Sequence, residues 1–304
     1  MKHDLLKEIS RALTTETPAL DAQVLLAHIT GRPRAWLLAH PELELTPTQE
    51  KNFQKALQKL KTGIPLPYVI GHWEFFGLDF LVSDAVLIPR PETEELVERA
   101  LSWLRENDGR HVLDVGTGSG IIPISIARNA RDLNLVGVDL SESALNIARQ
   151  NAALHGKIYH RDTENTEITK ERQRETYKIG TSTLRFIQSD LLANLPSATC
   201  NLQPFNLITA NLPYIPTATL KTLDVYTREP TLALDGGAKG LDLIRRLLKD
   251  APRYLAPKGL ILLEIDSSHG EKALAVANEF FPKAKNKSIQ DLSGRDRFIS
   301  IQTQ

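Results

Sequence analysis

Asp114-Val115-Gly116-Thr117-Gly118-Ser119-Gly120 follows the short apolar run His111-Val112-Leu113 and precedes an apolar, helix-compatible segment near Ile121 to Ala130. A strand that breaks into closely spaced glycines and restarts as a helix makes a tight turn. Its free N–H groups at the helix start are open to a ligand, and glycine lets that ligand approach the backbone. The spacing is Gly-x-Gly-x-Gly, and position 121 is Ile, so the third glycine of the dinucleotide pattern is missing.

Working outward, Leu133 to Val138 reads as a second strand and Glu142 to Leu154 as a second helix. Leu184 to Gln188, Phe205 to Thr209 and Leu260 to Glu264 supply three more strands. Such strand–helix alternation from about Leu87 onward predicts an open parallel sheet with helices on both faces. Ser288 to Leu292 and Arg297 to Ile301 flank Ser293-Gly294. So short a connection predicts that they pair antiparallel, because a parallel return needs a long crossover.

Upstream, residues 1–64 read as a small helical domain. Leu5, Leu6, Ile9 and Leu13 recur at helical spacing, as do Leu20, Val24, Leu25, His28 and Ile29. Gly31-Arg32-Pro33 stops the second helix, and a third runs from about Thr48 to Lys61. Residues 65–86 form the expected linker, a β-hairpin over Tyr68 to Val82 around Gly71 and Gly77. Residues 87–304 are then the main domain. Lys157 to Thr183 interrupts it with six basic and five acidic side chains. A helix-to-strand loop normally takes about 2–6 residues, so this stretch is expected to be a mobile surface insertion.

Composition narrows the function classes. The 304 residues carry 37 Lys+Arg against 37 Asp+Glu, which lacks the basic footprint of a dedicated nucleic-acid binder, so no stable nucleic-acid partner is expected. No apolar stretch is long enough to span a membrane, and Met1-Lys2-His3-Asp4 shows no leader pattern. With one cysteine, Cys200, no internal disulfide is possible, which fits a reducing cytoplasm. No metal-ligand spacing, nucleophile elbow or phosphate loop is present, and no metal is expected.

Two strand-end carboxylates complete a candidate cofactor site. Asp139 ends the second strand, where it can accept hydrogen bonds from both hydroxyls of a ribose, and Asp190 in Ser189-Asp190 ends the third, placed for an adenine amino group. Each acid alone also reads as a helix cap, and for Asp190 by itself that explanation is equally good. Beside the glycine loop, on the sheet edge where ligands bind in such folds, they point to an adenosine-type cofactor held by Asp114, Gly116, Thr117, Gly118, Gly120, Asp139, Asp190 and Asn211.

Asn211-Leu212-Pro213-Tyr214 follows the fourth strand on the same edge. An amide or aromatic amino nitrogen is a poor nucleophile because its lone pair is delocalised. Accepting its two hydrogens at the Asn211 side-chain oxygen and the Leu212 carbonyl would return electron density to nitrogen and aim it at an activated methyl group. Pro213 would stiffen the loop and the Tyr214 ring would stack on a planar group. The plainer alternative is a proline turn with a packed tyrosine.

These blocks together resemble the PrmC/HemK family of protein-(glutamine-N5) methyltransferases. Further blocks carry the likeness: Asp21 to His28, Pro67 to Gly71, Leu87-Ile88-Pro89-Arg90-Pro91-Glu92-Thr93-Glu94, Glu229-Pro230, Gly240-Leu241-Asp242 and Asp291 to Arg297. The resemblance covers nearly the whole chain outside 157–183. It implies an α/β, Rossmann-like, seven-stranded class I methyltransferase domain that uses S-adenosyl-L-methionine. It also implies class I peptide chain release factors as protein substrate, methylated on the glutamine of their Gly-Gly-Gln motif, with the helical N-terminal domain helping to recognise them. By the same resemblance Asn211, Leu212, Pro213 and Tyr214 hold the glutamine amide, and Arg90, Pro91, Glu92 and Thr93 line the site. From the residues alone, Arg90 to Glu95 is only a proline-led, acidic helix start. Leu212 stands where the family usually has proline, and Asp266 and His269 where it more often has glycine and glutamine.

Other readings share parts of this pattern. A glutamine methyltransferase of a ribosomal protein would use the same loop. An adenine-N6 or guanine-N2 nucleic-acid methyltransferase meets the same electronic problem but usually adds a basic groove. A non-catalytic adaptor would not need Asn211 and Tyr214 intact, and an NAD-linked oxidoreductase calls for different glycine spacing.

Overall fold

The computed structural model describes residues 5–13, 17–159, 175–195 and 203–304. The chain divides into two compact units, residues 1–72 and 73–304.

The first unit is helical: α1 (Leu5–Ala12), α2 (Pro18–Thr30), α3 (Arg34–Ala39), α4 (Pro47–Lys61) and α5 (Leu66–Ile70). Local chemistry sets these boundaries. Gly31, left-handed at φ +66°, caps α2 through its N–H to the Ala27 carbonyl. Thr46 and Gln49 form a reciprocal capping box at the start of α4, with Pro47 in the first turn. Leu25, Leu26, Leu37, Phe53 and Leu57 are buried in its core. The hairpin expected from Tyr68 starts later. Pro67 suits a helix start and Gly71 closes one turn of helix, so Tyr68 lies in α5. The hairpin is confined to β1 (His72–Phe75) and β2 (Leu78–Leu81).

The second unit is built on one large sheet. Its strands are β3 (His111–Val115), β4 (Asn134–Asp139), β5 (Lys157–Tyr159), β6 (Thr176–Ile179), β7 (Ser182–Gln188), β8 (Phe205–Asn211), β9 (Leu255–Glu264), β10 (Lys285–Gln290) and β11 (Asp296–Gln302). Its helices are α6 (Pro91–Glu106), α7 (Ile121–Asn129), α8 (Glu142–His155), α9 (Thr217–Leu220), α10 (Asp242–Asp250) and α11 (Gly270–Phe280). The strand order is β10-β11-β9-β8-β3-β4-β7-β6-β5. β3 pairs parallel with β4 and with β8, and β9 pairs parallel with β8. β10 and β11 pair antiparallel, as the short Ser293-Gly294 connection requires.

Alternation along the strands splits the core into two layers. Val112, Leu207, Leu260 and Leu262 pack on one face with Leu96 of α6 and Ile124 of α7. Their neighbours Leu113, Ile208, Ile261 and Leu263 pack on the other face with Leu247 of α10 and Ala273 of α11. A parallel sheet covered on both faces needs this near-continuous apolar run in each strand.

Among the described residues the sheet has nine strands where seven are expected, and the two extra ones come from the ends of the charged stretch. Tyr177 and Ile179 are buried while Lys178 between them is exposed, a period-two signal hidden by the surrounding charge. Gly180, at φ +61°, starts a two-residue turn that pairs Ile179 with Ser182. β5 pairs antiparallel with β6. The edges of the expected mobile insertion are therefore ordered sheet, and its middle, residues 160–174, lies outside the described residues.

Because β3 has its next strand, β4, on one side and β8 on the other, the chain reverses direction across the sheet there. The loops after β3 and β8 therefore leave the sheet side by side at its carboxyl edge, where such folds bind ligands.

Candidate active site

A cavity of about 800 Å³ opens at that edge. Gly116, Thr117, Gly118, Asp139, Asp190, Arg90, Thr93, Asn211, Leu212 and Pro213 all line it. Residues from five separate loop or helix-start positions thus meet in one chamber, of the size that takes a small organic ligand with room to spare.

The glycine loop owes its path to two positions. Gly116 has φ +74°, and a Cβ there would lie 2.9 Å from Leu212 Cδ2 and 3.6 Å from the Asn211 carbonyl oxygen. The loops after β3 and β8 therefore touch, and the left-handed backbone at this contact favours glycine. Gly118 has φ +55°, and a Cβ there would meet nothing within 4 Å, so its open side faces free space. Its N–H donates to Asp139 Oδ2 at 2.8 Å, while Ser141 N–H donates to Oδ1 at 2.9 Å. Burial raises the Asp139 carboxyl above the usual carboxylate range, and the Ser141 and Gly118 amides counter that rise. Two anchored oxygens with spare lone pairs suit a pair of neighbouring hydroxyls.

On the opposite wall, Asn211 Nδ2 donates to Thr93 Oγ1 at 3.0 Å. Thr93 is held in the first turn of α6 and is almost wholly buried. Arg90, just before that helix, pairs with Glu229, whose other oxygen accepts from Ile88 N–H at 3.1 Å. Glu229 thereby ties the Ile88–Arg90 segment to the Pro230–Ala233 segment, and both line the cavity. Asp190 does line it, but its carboxylate pairs with Arg246 of α10 at 2.7 Å, both side chains being about half exposed.

Five residues of the expected site lie outside the cavity lining. Asp114 is fully buried under the loop and accepts from Thr209 Oγ1 at 2.8 Å. Burial pushes its carboxyl up to about 6 against the hydroxyls of Thr117 and Thr209. It supports the glycine loop from below, where a ligand contact was the expectation. Gly120 permits close packing, since a Cβ would lie 3.1 Å from Ile124 and 3.2 Å from Ala148. Pro91 and Glu92 are exposed on the first turn of α6. Tyr214 is part-buried, its backbone against Gly236 and Gly240, and burial and the nearby Glu264 charge push its phenol up.

Reading residue by residue missed Glu264, Glu229, Thr209 and Arg246. Glu264 ends β9 in register with Asn211 and is almost wholly buried. A lone acid closing an apolar strand was the one available signal for it.

The N-terminal part matches the PrmC N-terminal domain model over residues 4–71, and residues 112–174 match a methyltransferase domain model. A protein from Bacillus anthracis called "Release factor glutamine methyltransferase" is 33% identical over 91% of this chain and 90% of its own length. Proteins of the same name from Moorella thermoacetica (37% identical over 93% of this chain and 90% of its own length) and Deinococcus radiodurans (34%, 97% and 96%) are also similar. Among solved structures, the hMettl16 catalytic domain in complex with MAT2A 3'UTR hairpin 6 superposes with a TM-score of 0.50 at 12% identity, over 86% of this chain and 83% of that one. That likeness concerns the fold.

Sheet order, glycine loop and edge cavity define a class I methyltransferase. Along more than nine-tenths of its length, the chain belongs to the release factor glutamine methyltransferase family.

Proposed function

We propose that this enzyme moves a methyl group from S-adenosyl-L-methionine to the side-chain amide nitrogen of the glutamine in the Gly-Gly-Gln motif of class I peptide chain release factors. The observation that carries this reading is the contact between the loops after β3 and β8, where Gly116 abuts Leu212 and Asn211. The glycine loop, Asp139 and the Asn211–Pro213 loop thus line one cavity, which supports the reading.

The residues present fit the cofactor. Gly118 leaves open space, Asp139 offers two fixed oxygens, and the cavity is large enough. When bound, S-adenosyl-L-methionine supplies a methyl group made electrophilic by its sulfonium. Asp139 would hold the ribose hydroxyls and Gly116, Thr117 and Gly118 would line the path beside them. Asn211 would accept one N–H of the glutamine amide at Oδ1, and the Leu212 carbonyl would accept the other. With both hydrogens engaged, the nitrogen is oriented and its electron density raised, and one of its two protons is lost to solvent once the methyl group is in place. Leu212 in place of proline keeps that carbonyl, and its side chain packs against Gly116.

The helical unit of residues 1–72 would recognise the release factor. The reading places the enzyme in the cytoplasm, in keeping with a single cysteine. Among the described residues no helix is long and apolar enough to cross a membrane. Incubation with radiolabelled S-adenosyl-L-methionine and separate release factor, ribosomes and DNA tests the assignment. Label on the release factor is expected, and label confined to ribosomal protein or nucleic acid overturns it.

A further inference from the structure

Asn211 can serve as an acceptor only if its side-chain amide sits one way round, with Oδ1 toward the cavity. Thr93 alone does not decide this. Its hydroxyl both donates and accepts, so it could satisfy either face of the Asn211 amide at the observed 3.0 Å. A third group must break the tie.

Glu264 has the required chemistry. It is 1% exposed, stands opposite Asn211 in the β8–β9 register, and does not line the cavity. The Thr93 and Asn211 side chains both favour the charged form of its carboxyl. Its Oε2 has no hydrogen-bond partner among the described residues. A carboxylate only accepts. A charged acceptor with an open oxygen beside Thr93 would favour the hydroxyl rotamer whose proton points at it, which leaves Thr93 to accept from the Asn211 NH2, the arrangement observed. The amide nitrogen is thereby turned inward and Oδ1 outward.

We propose that Glu264 is a positioning residue for methyl transfer, acting through Thr93 to fix which face of the Asn211 amide meets the substrate. This rests on the reading that Asn211 accepts from a glutamine amide. The polar and charged groups that act on Glu264 are Thr93 and Glu92 from α6, Asn211 and Tyr214 from β8 and its loop, and Arg297 from β11. Burial pushes the Glu264 carboxyl up to about 7, with Thr93, Arg297 and Asn211 opposing and Glu92 adding to the rise. Below that pH the group carries a proton, can donate as well as accept, and loses its hold on the relay.

The test compares full-length wild type with Glu264→Gln, Thr93→Ser and Thr93→Val. Methylation of a release factor gives kcat and KM, and calorimetry gives the S-adenosyl-L-methionine Kd. NMR follows hydrogen exchange of the Asn211 side-chain NH2 without any substrate. Glu264→Gln and Thr93→Val should lower kcat roughly 10- to 100-fold, with KM and Kd within about threefold. Thr93→Ser, which keeps the hydroxyl, should stay near wild type. Wild-type kcat should fall as pH drops through about 7, and Glu264→Gln should lose that limb. The Asn211 NH2 should be protected at pH 8 in wild type and exchange faster in Glu264→Gln.

Unchanged kcat, pH profile and NH2 protection in Glu264→Gln overturn the positioning role. If that variant does not fold, equal activity of Thr93→Ser and Thr93→Val overturns it instead. A wild type that leaves the release factor unlabelled overturns the substrate assignment alone, because the NMR measurement still decides the relay.

Discussion

The two walls of the cavity are built from different materials. On the cofactor side, contacts come from main-chain amides and a carboxylate that those amides hold, as at Gly118, Ser141 and Asp139. On the reacting side, a part-buried side-chain amide, Asn211 of β8, is bonded to buried Thr93 of α6 and stands in register with buried Glu264 of β9. The first wall follows from backbone geometry and a short run of residues. The second needs a completed tertiary structure, and a change in any of its members is felt at the others.

This contrast predicts that the walls fail in different ways. The largest effect should come from Asn211→Ala, which removes one acceptor on the reacting nitrogen. kcat should drop roughly 10²- to 10³-fold while the S-adenosyl-L-methionine Kd, read by calorimetry, moves little. Equal losses in both would make Asn211 a structural residue and erase the distinction.

Asp139→Ala should do the reverse. Losing two charge-assisted hydrogen bonds and the anchor of Gly118 should raise Kd by about a hundredfold or more, and kcat at saturating cofactor should change far less. A Kd within a few-fold of wild type would show that the main-chain cradle suffices.

Below the glycine loop, Asp114 gives a stability signature with a definite sign. Its carboxyl is raised from 3.8 to about 6 in the folded protein. The folded state therefore binds the proton more tightly, and stability from this group is present below about pH 4 and lost as pH rises through about 6. Relative to wild type, Asp114→Asn should gain about 2–3 kcal/mol between pH 4 and pH 7. Urea unfolding at both pH values measures it, and a pH-independent difference would contradict the burial argument.

The smallest effect belongs to the Asp190–Arg246 pair at the rim. Both side chains are about half exposed, so Arg246→Ala should alter stability by less than about 1 kcal/mol. A larger loss in thermal unfolding would mean that the pair closes the cavity and does more than decorate its edge.

The same contrast explains what the sequence made legible. The strand–glycine–helix unit is contiguous, and its spacing alone points to the sheet, the edge and the Asp139 position. Asn211 to Pro213 is also contiguous and is brought to the same cavity. Glu264 and Thr93 meet Asn211 only because α6 and β9 flank β8, and no local pattern announces that. Asp114 misleads for a related reason. Strand alternation puts it under the loop, whereas its place beside the glycines suggests a ligand contact. β5 and β6 are hidden because Tyr177 and Ile179 stand among charged residues, and a two-position alternation there is too short to stand out.

A crystal structure with S-adenosylhomocysteine and a glutamine-containing Gly-Gly-Gln peptide would test the central claim most directly. Asn211 Oδ1 and the Leu212 carbonyl should both lie about 3 Å from the glutamine amide nitrogen, with Asn211 Nδ2 still on Thr93. An Asn211 amide turned with its nitrogen toward the peptide, or a glutamine side chain bound elsewhere, would contradict it.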